Sequence, residues 1–143
     1  MCKGVGAPVG SVIIGSKEDI KSAKKKKKIF GGGMRQAGYL AAAGMYALQN
    51  NISRLEEDHR KAKELGEILA TLPFIYKVEP IETNIVIFTL KSDVSETQFI
   101  DKSKEKNINI SNMGQGKLRM VTHLDYKQVM HDYVMETLSK ISF

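Results

Sequence analysis

The first lysine of the sequence that could do chemistry lies in a turn made mostly of small residues. Lys3 precedes the run Gly4-Val5-Gly6-Ala7-Pro8, whose glycines and proline are incompatible with a helix. A lysine amine attacks an aldehyde only when it is deprotonated, and small neighbours let a flat cofactor approach. Lys3 is therefore a candidate Schiff-base nucleophile, although by itself it is more simply an exposed lysine. The glycines do not complete a nucleotide-binding Gly-x-Gly-x-x-Gly pattern.

A second candidate is an anion site that follows the triplet Gly31-Gly32-Gly33. A helix that begins after these glycines points its free backbone N–H groups outward. Arg35 adds a guanidinium with a planar set of donors, and Lys28 ends a run of five lysines just upstream. Taken alone, Arg35 could also be a surface arginine at a helix start.

The third candidate is Arg119, which interrupts the apolar strand predicted over Lys117–Thr122. The alternation of a strand puts Leu118 and Met120 on one face and Arg119 on the other, with Lys117 and Val121. A charged group is costly to bury unpaired, so Arg119 is either a rim residue on an exposed face or a ligand for an anion.

Three stretches of the sequence, in this order, closely resemble the threonine aldolases. They are Lys3–Ser11, Gly31–Gly38 and Arg119–His123, and the second, Gly-Gly-Gly-Met-Arg-Gln-Ala-Gly, is the most specific. These enzymes have the aminotransferase-like fold type I and depend on pyridoxal 5'-phosphate (PLP). The resemblance extends over nearly the whole chain and implies the C-terminal part of such an enzyme. Cys2 stands where the family usually has serine.

The resemblance also implies a role for each candidate residue. Lys3 would form the Schiff base with PLP, and Lys28 and Arg35 would lie near the cofactor phosphate. Arg119 would bind the α-carboxylate of the amino-acid substrate, a planar task that suits a guanidinium. The implied reaction is the reversible cleavage of L-threonine or L-allo-threonine to glycine and acetaldehyde. Arg119 should then have no acidic partner within the chain.

Other groups that this reaction needs cannot be found in the sequence. In the family, a region ahead of the lysine supplies the ring stacked on PLP, the carboxylate paired with the pyridine nitrogen and the catalytic base. We therefore expect the chain to be inactive alone, and to work as a homo-oligomer or with a missing N-terminal half. The alternative is a non-catalytic basic module that binds an acidic partner through Lys24–Lys28.

The remaining polar residues point to neither a metal centre nor a nucleic-acid interface. His59 and His131 lie on predicted helices without ligand spacing, and we expect surface or packing roles for them. For His123 we expect a structural role in the turn after the Arg119 strand, and Cys2 is the only cysteine. The net charge of +6, from 22 Lys+Arg and 16 Asp+Glu, is concentrated in one lysine-rich segment without interleaved arginines or aromatic residues.

The predicted elements follow an order typical of an α+β fold. Ser11–Gly15 has the β-branched composition of a short strand, and Ser16 is the N-cap of a helix over Lys17–Ile29. The other predicted helices are Met34–Gln49, Ile52–Leu72, Ser95–Lys106 and Tyr126–Ile141, and the other strands are Tyr76–Glu79, Asn84–Leu90, Ile108–Ser111 and Lys117–Thr122, the last two joined by a turn over Asn112–Gly116.

The domain organisation follows from these elements together with the resemblance. Residues 52–143 contain a complete set of strands and helices and would be the small C-terminal domain of a fold type I enzyme. Residues 1–51 would be the last strand and helices of a truncated PLP-binding large domain, since a lone strand has no neighbour to pair with.

The composition fits this interpretation. Hydrophobic residues make up 42% of the chain, which allows a packed core, and no apolar run approaches the roughly 20 residues of a membrane span. No secretory signal is visible at the start of the sequence. We therefore expect a soluble, cytoplasmic protein that acts on a small amino acid, without a membrane or nucleic-acid partner.

Overall fold

The computed structural model describes residues 4–141, and the chain divides between Ile52 and Ser53 into two compact units. The first unit contains helices α1 (Lys17–Ile29) and α2 (Ala37–Asn50). The second contains three helices and four strands: α3 (Leu55–Thr71), β1 (Ile75–Val78), β2 (Ile85–Leu90), α4 (Glu96–Glu105), β3 (Ser111–Gly114), β4 (Lys117–Val121) and α5 (Gln128–Lys140).

Helix α1 of the first unit has the bounds that the sequence predicts. Its N-terminus is a capping box, in which the Ser16 hydroxyl accepts from the Asp19 N–H (3.1 Å) and the Asp19 carboxylate accepts from the Ser16 N–H (3.3 Å). No residue of α1 is buried. Local capping and the favourable placement of charges along the helix dipole therefore determine where this helix begins and ends.

The predicted strand over Ser11–Gly15 is wrong, because this segment is irregular in the structure. The side chains of Ile13 and Ile14 are 71% and 93% exposed. A strand needs a neighbour to pair its backbone groups, and the described residues of the first unit contain no other strand. The last strand expected for the first unit is therefore absent.

The sheet of the second unit is antiparallel, with the strand order β1-β2-β4-β3. Alternate residues of β2 and β4 are buried on one face, where α3, α4 and α5 contribute to a single hydrophobic cluster. Its centre is aromatic, with the ring of Phe99 on α4 5.8 Å from both Phe74 and Phe88. The helices thus cover one face of the sheet, and Arg119 belongs to the other face.

The predicted α+β class and the element order after α3 are confirmed. The strand expected over Ile108–Ser111 is wrong, because Ile108 and Ile110 are buried without strand pairing and β3 begins only at Ser111. The β3–β4 hairpin turns at Gln115 and Gly116, which both have positive φ, so its strands reach into the segment predicted as a loop. Within residues 4–141, no helix has the length and apolar character needed to cross a bilayer.

Candidate functional site

Lys3 lies outside the described residues, but the residues that follow it are well packed. Gly4 and Ala7 are buried, and the carbonyl of Val5 accepts a hydrogen bond from the side-chain amide of Asn51 (2.8 Å). Asn51 is the C-cap of α2. The segment after Lys3 is therefore tied to the end of the second helix of its own unit.

The glycine triplet begins by ending α1. Gly31 has φ of +74°, and its N–H donates to the carbonyl of Lys28 (3.1 Å), while the Gly32 N–H donates to that of Lys27 (2.8 Å). These two bonds form a Schellman motif, which favours glycine at the left-handed position. A Cβ on Gly32 would also lie 2.9 Å from the Lys27 carbonyl oxygen. Two of the three glycines are thus explained by helix termination.

Gly33 is different, since it has no positive φ, and no atom of residues 4–141 beyond its own chain neighbours lies within 4 Å of the position of a Cβ. The fold of the unit alone therefore does not require glycine here. Gly33 leads to Arg35, which is exposed, and to the N-terminus of α2.

The N-terminus of α2 is open to an anion. Its N-cap, Gln36, is left-handed and makes no side-chain capping bond, and the first turn has no acidic residue. Uncapped N–H groups and the helix dipole favour a negative group at this end. Lys28 and Arg35 are both exposed in this unit, and no ion pair of either is found among residues 4–141.

Arg119 lies at the middle of β4, on the face of the sheet opposite the core. Its cross-strand neighbours are Ile87 on β2 and Ser111 on β3, and it alternates with the buried Leu118 and Met120. The Nε atom of Arg119 is buried and has no hydrogen-bond partner in the described part of the chain. An unpaired buried donor is unfavourable, so this guanidinium is suited to a ligand that supplies an acceptor.

The ion pairs of the second unit leave Arg119 aside. Between residues 4 and 141, none joins Arg119 to Asp93, Asp101 or Glu105. Its strand neighbour Lys117 does reach a carboxylate, that of Glu79, at 3.7 Å. Lys28 and Arg35 belong to the first unit, and Arg119 belongs to the second.

A buried charged cluster on α3 is missing from the sequence-based candidates. The fully buried carboxylate of Asp58 accepts two bonds from Arg54 (2.6 and 3.0 Å), and the hydrogen bond to Asp58 raises the pKa of Arg54 despite partial burial. The fully buried Lys61 donates to Glu57 (2.6 Å) and thereby lowers the pKa of that carboxyl. The spacing of four residues in both pairs is the signal that could have found them.

Two of the histidines have contacts within the fold. His131 is buried, with Nε2 2.7 Å from a carboxylate oxygen of Glu64 and Nδ1 3.3 Å from the Tyr126 hydroxyl. Burial raises the pKa of Tyr126. His123 Nδ1 accepts from the Asp125 N–H (3.3 Å), which closes the turn after β4. Residues 4–141 contain no group of three or more His, Cys, Asp or Glu side chains that could hold a metal.

Comparison with known proteins assigns the chain to a family. The family model described as "Beta-eliminating lyase" matches residues 1–93. The low specificity L-threonine aldolase of Escherichia coli O157:H7 is 41% identical over 125 residues, which are 87% of this chain and 36% of that protein. The probable low-specificity L-threonine aldolase 2 of Arabidopsis thaliana is 36% identical over 144 residues, 99% of this chain and 41% of that protein. The chain thus spans about two fifths of the length of these relatives.

A solved structure is also similar. A mutant of C-DES with glycine covalently linked to its PLP cofactor superposes with a TM-score of 0.56 at 18% identity, over 74% of this chain and 29% of that chain. At this identity the likeness concerns the fold, and it confirms the predicted fold class.

Proposed function

Since the chain belongs to the beta-eliminating lyase family, we propose that it is part of a PLP-dependent aldehyde-lyase of the threonine aldolase type. The reaction would cleave L-threonine or L-allo-threonine to glycine and acetaldehyde. The observation that carries the proposal is the buried Nε of Arg119, which has no hydrogen-bond partner among residues 4–141, in a chain whose relatives are named threonine aldolases.

The described residues of the first unit fit the phosphate of PLP. The N-terminus of α2 lacks a side-chain cap and an acidic first turn, and Lys28 and Arg35 are exposed in the same unit. A dianionic phosphate needs several N–H donors and cations, which is what this region supplies. Gly33, where the fold leaves room for a side chain, keeps the approach to Arg35 unobstructed. When bound, PLP supplies an electron sink for the pair released by Cα–Cβ cleavage.

Lys3 is proposed as the amine that holds the cofactor covalently. The contacts of Val5 and Ala7 fix the chain that follows it, which would limit the positions open to the amine. Restricting a nucleophile in this way lowers the entropy that must be lost when it reacts.

Arg119 is proposed to bind and orient the substrate by its α-carboxylate. A bidentate guanidinium–carboxylate pair fixes both position and rotation, which would align the bond to be broken with the cofactor ring. No partner among residues 4–141 competes for the Nε donor. The apolar neighbours Ile87 and Val121 flank Arg119 on the same face and would reduce the access of water to the pair.

The domain assignment and the partners belong to the same proposal. Residues 1–51 would come from the PLP-binding domain and residues 52–143 would form the small domain. The rest of the active site would come from a region that corresponds to the roughly three fifths of each relative that this chain does not cover. The assembled enzyme would be a cytoplasmic homo-oligomer. The comparisons do not support the alternative of a basic module that binds through Lys24–Lys28.

The test joins this chain to the part of the Escherichia coli relative that it does not cover. Threonine-dependent release of acetaldehyde and retention of PLP are then measured, and the 143-residue chain alone should show weak PLP binding and negligible cleavage. Lys3→Ala should abolish cleavage, and Lys28→Ala should weaken PLP binding more than its neighbour Lys27→Ala. Arg119→Ala should weaken glycine binding by about 10- to 150-fold, the equivalent of a charge-assisted hydrogen bond of roughly 1.5–3 kcal/mol. Full cleavage by the Lys3→Ala protein would refute the proposal.

A further inference from the structure

Thr122, the residue directly after β4, is held by hydrogen bonds to Asn84, just before β2, and to Asp58 in α3. Its N–H donates to the Asn84 carbonyl (3.0 Å), and its own carbonyl accepts from the Asn84 side-chain amide (2.6 Å). Its hydroxyl donates to the backbone carbonyl of Asp58 in α3 (2.7 Å), with a longer contact to the Asn84 carbonyl (3.4 Å). Thr122 is 1% exposed. The end of β4 is therefore fixed both to the start of β2 and to the helix behind the sheet.

Lys61 fastens the loop that follows Thr122 to the same helix. Its side chain is fully buried, and Nζ donates to the carbonyl of Tyr126 (2.9 Å) as well as to Glu57. Burying an ammonium is costly, and such groups are weak evidence for stability but can select one arrangement of the chain. We call Asn84, Thr122 and Lys61, with the Asp58 carbonyl, the exit clamp of β4.

The exit clamp matters for Arg119 because a strand can slip in register. A slip of one residue would turn Arg119 toward the hydrophobic core, and a slip of two would move it by roughly 6.6 Å. The β2–β4 ladder pairs only five residues, and the β3–β4 ladder shifts register between Asn112 and Gly114. The bonds of Thr122 can form in only one register, so they select the one that places Arg119 opposite Ile87.

We propose that Thr122 is a positioning residue for Arg119 and acts through the register and direction of β4. The inference depends on the proposed function only for its consequence, which is that carboxylate binding at Arg119 needs the Thr122 hydroxyl. The position of Arg119 itself can be measured without substrate or cofactor.

The experiment uses the ¹⁵N-labelled 143-residue chain and compares Thr122→Val with Thr122→Ser. Valine keeps the shape and loses the hydroxyl, whereas serine keeps the hydroxyl. The matched control is Thr97→Val, which removes the hydroxyl of an exposed threonine on α4. The readouts are the Arg119 Nε–H resonance, assigned with Arg119→Lys, and its cross-relaxation to Ile87.

We expect Thr122→Val to shift or split the Arg119 Nε–H resonance and to reduce its cross-relaxation to Ile87 by at least about half. The backbone amide hydrogen of residue 122 should exchange with solvent about fivefold faster. This factor corresponds to the loss of a hydrogen bond with a net contribution of about 1 kcal/mol. Thr122→Ser and Thr97→Val should both leave the Arg119 resonance, its cross-relaxation to Ile87 and the exchange rate as in the unmodified chain. Asn84→Ala, which removes the side-chain amide donor to Thr122 and keeps the Asn84 backbone carbonyl, gives a second route to the same shift if Thr122→Val folds poorly.

A second control separates the positioning of Arg119 from a general loss of stability. Val134→Ala, a core change on α5, should lower stability without moving the Arg119 resonance. An equal shift in Val134→Ala and Thr122→Val, or no shift in Thr122→Val, would overturn the proposal. In the joined protein, Thr122→Val should raise the KM for threonine several-fold and change kcat less than twofold. A normal KM together with a displaced Arg119 would refute the carboxylate role of Arg119, whereas the exit clamp would stand.

Discussion

The two units of this chain differ in what they do with their apolar side chains. The second unit buries most of them in one cluster between the sheet and three helices. In the first unit, only Ala7 and Ala47 are buried hydrophobic residues among those described, while Ile14, Phe30 and Tyr39 are each more than 80% exposed. Helix α2 carries no charged residue at all. A helix that is apolar all round is normally buried by other polypeptide.

This difference shows which candidate residues each unit can hold in place by itself. The second unit can fix the position of Arg119 by itself, through strand pairing and the exit clamp of β4. The first unit fixes local geometry, such as the termination of α1 at Gly31, but leaves apolar surface that its own residues do not cover. Exposed apolar surface of this extent is typical of an interface.

The largest expected effect tests this difference with two phenylalanines. Phe99→Ala removes a fully buried ring from the second unit and should lower its free energy of unfolding by about 3–5 kcal/mol. Phe30→Ala removes a ring that is 86% exposed in the first unit, and it should change the free energy of unfolding of the first unit by less than about 0.5 kcal/mol. Urea unfolding of the two variants measures both values. Similar losses would contradict the difference between the units.

A smaller effect, which depends on pH, should belong to the second unit. Burial of Glu64 opposes its ionisation, but hydrogen bonds from Arg60 and His131 prevail and lower its pKa. A lowered pKa contributes stability above the unfolded value of about 4.3, and this contribution is lost as the pH falls through the folded value. Glu64→Gln should therefore be destabilised at pH 7, and its difference from the unmodified protein should shrink below about pH 4.

The matched control for this prediction is Glu67→Gln, an exposed position on the same helix. Unfolding of both variants is followed between about pH 3 and pH 7. A deficit in Glu64→Gln that stays constant over this range would show that packing, and not the charge of Glu64, is responsible.

The smallest effect concerns the helix end that precedes Arg35. Gly31→Ala places a side chain at φ of +74° and should cost about 1 kcal/mol locally, whereas Gly33→Ala, with open space around it, should cost much less. Carbon chemical shifts of Lys24–Lys28 report the helix content of the last turn of α1. Equal fraying in both variants would mean that the Schellman motif does not set this end.

The accuracy of the sequence-based prediction varies along the chain for physical reasons. The bounds of α1 were predictable because Ser16, Asp19 and Gly31 act through their nearest neighbours in sequence. The absence of a strand over Ser11–Gly15 was not predictable, because strand formation depends on pairing partners that lie far away in the sequence or outside the unit. The strand predicted over Ile108–Ser111 was placed too early in the sequence, because Ile108 and Ile110 are buried without belonging to a strand.

The candidate site shows the same limit. The open face of β4 followed from alternation, so the location of Arg119 was predictable. The buried Lys61 and the hydrogen bonds of Thr122 were not predictable, because lysines are usually exposed and the partners of Thr122 are 38 and 64 residues away. The roles of Lys3, Lys28, Arg35 and Arg119 remain predictions from the resemblance.

The most direct test of the account is native-state hydrogen exchange of the whole chain. We predict that amides in β2, β4 and α3 exchange only through global unfolding of the second unit, and that amides in α2 exchange at least about 100-fold faster. When the chain is joined to the part of the Escherichia coli relative that it does not cover, α2 should become protected while β2 and β4 change little. Protection of α2 equal to that of β2 in the chain alone would contradict the account, because the first unit would then need no other polypeptide to cover it.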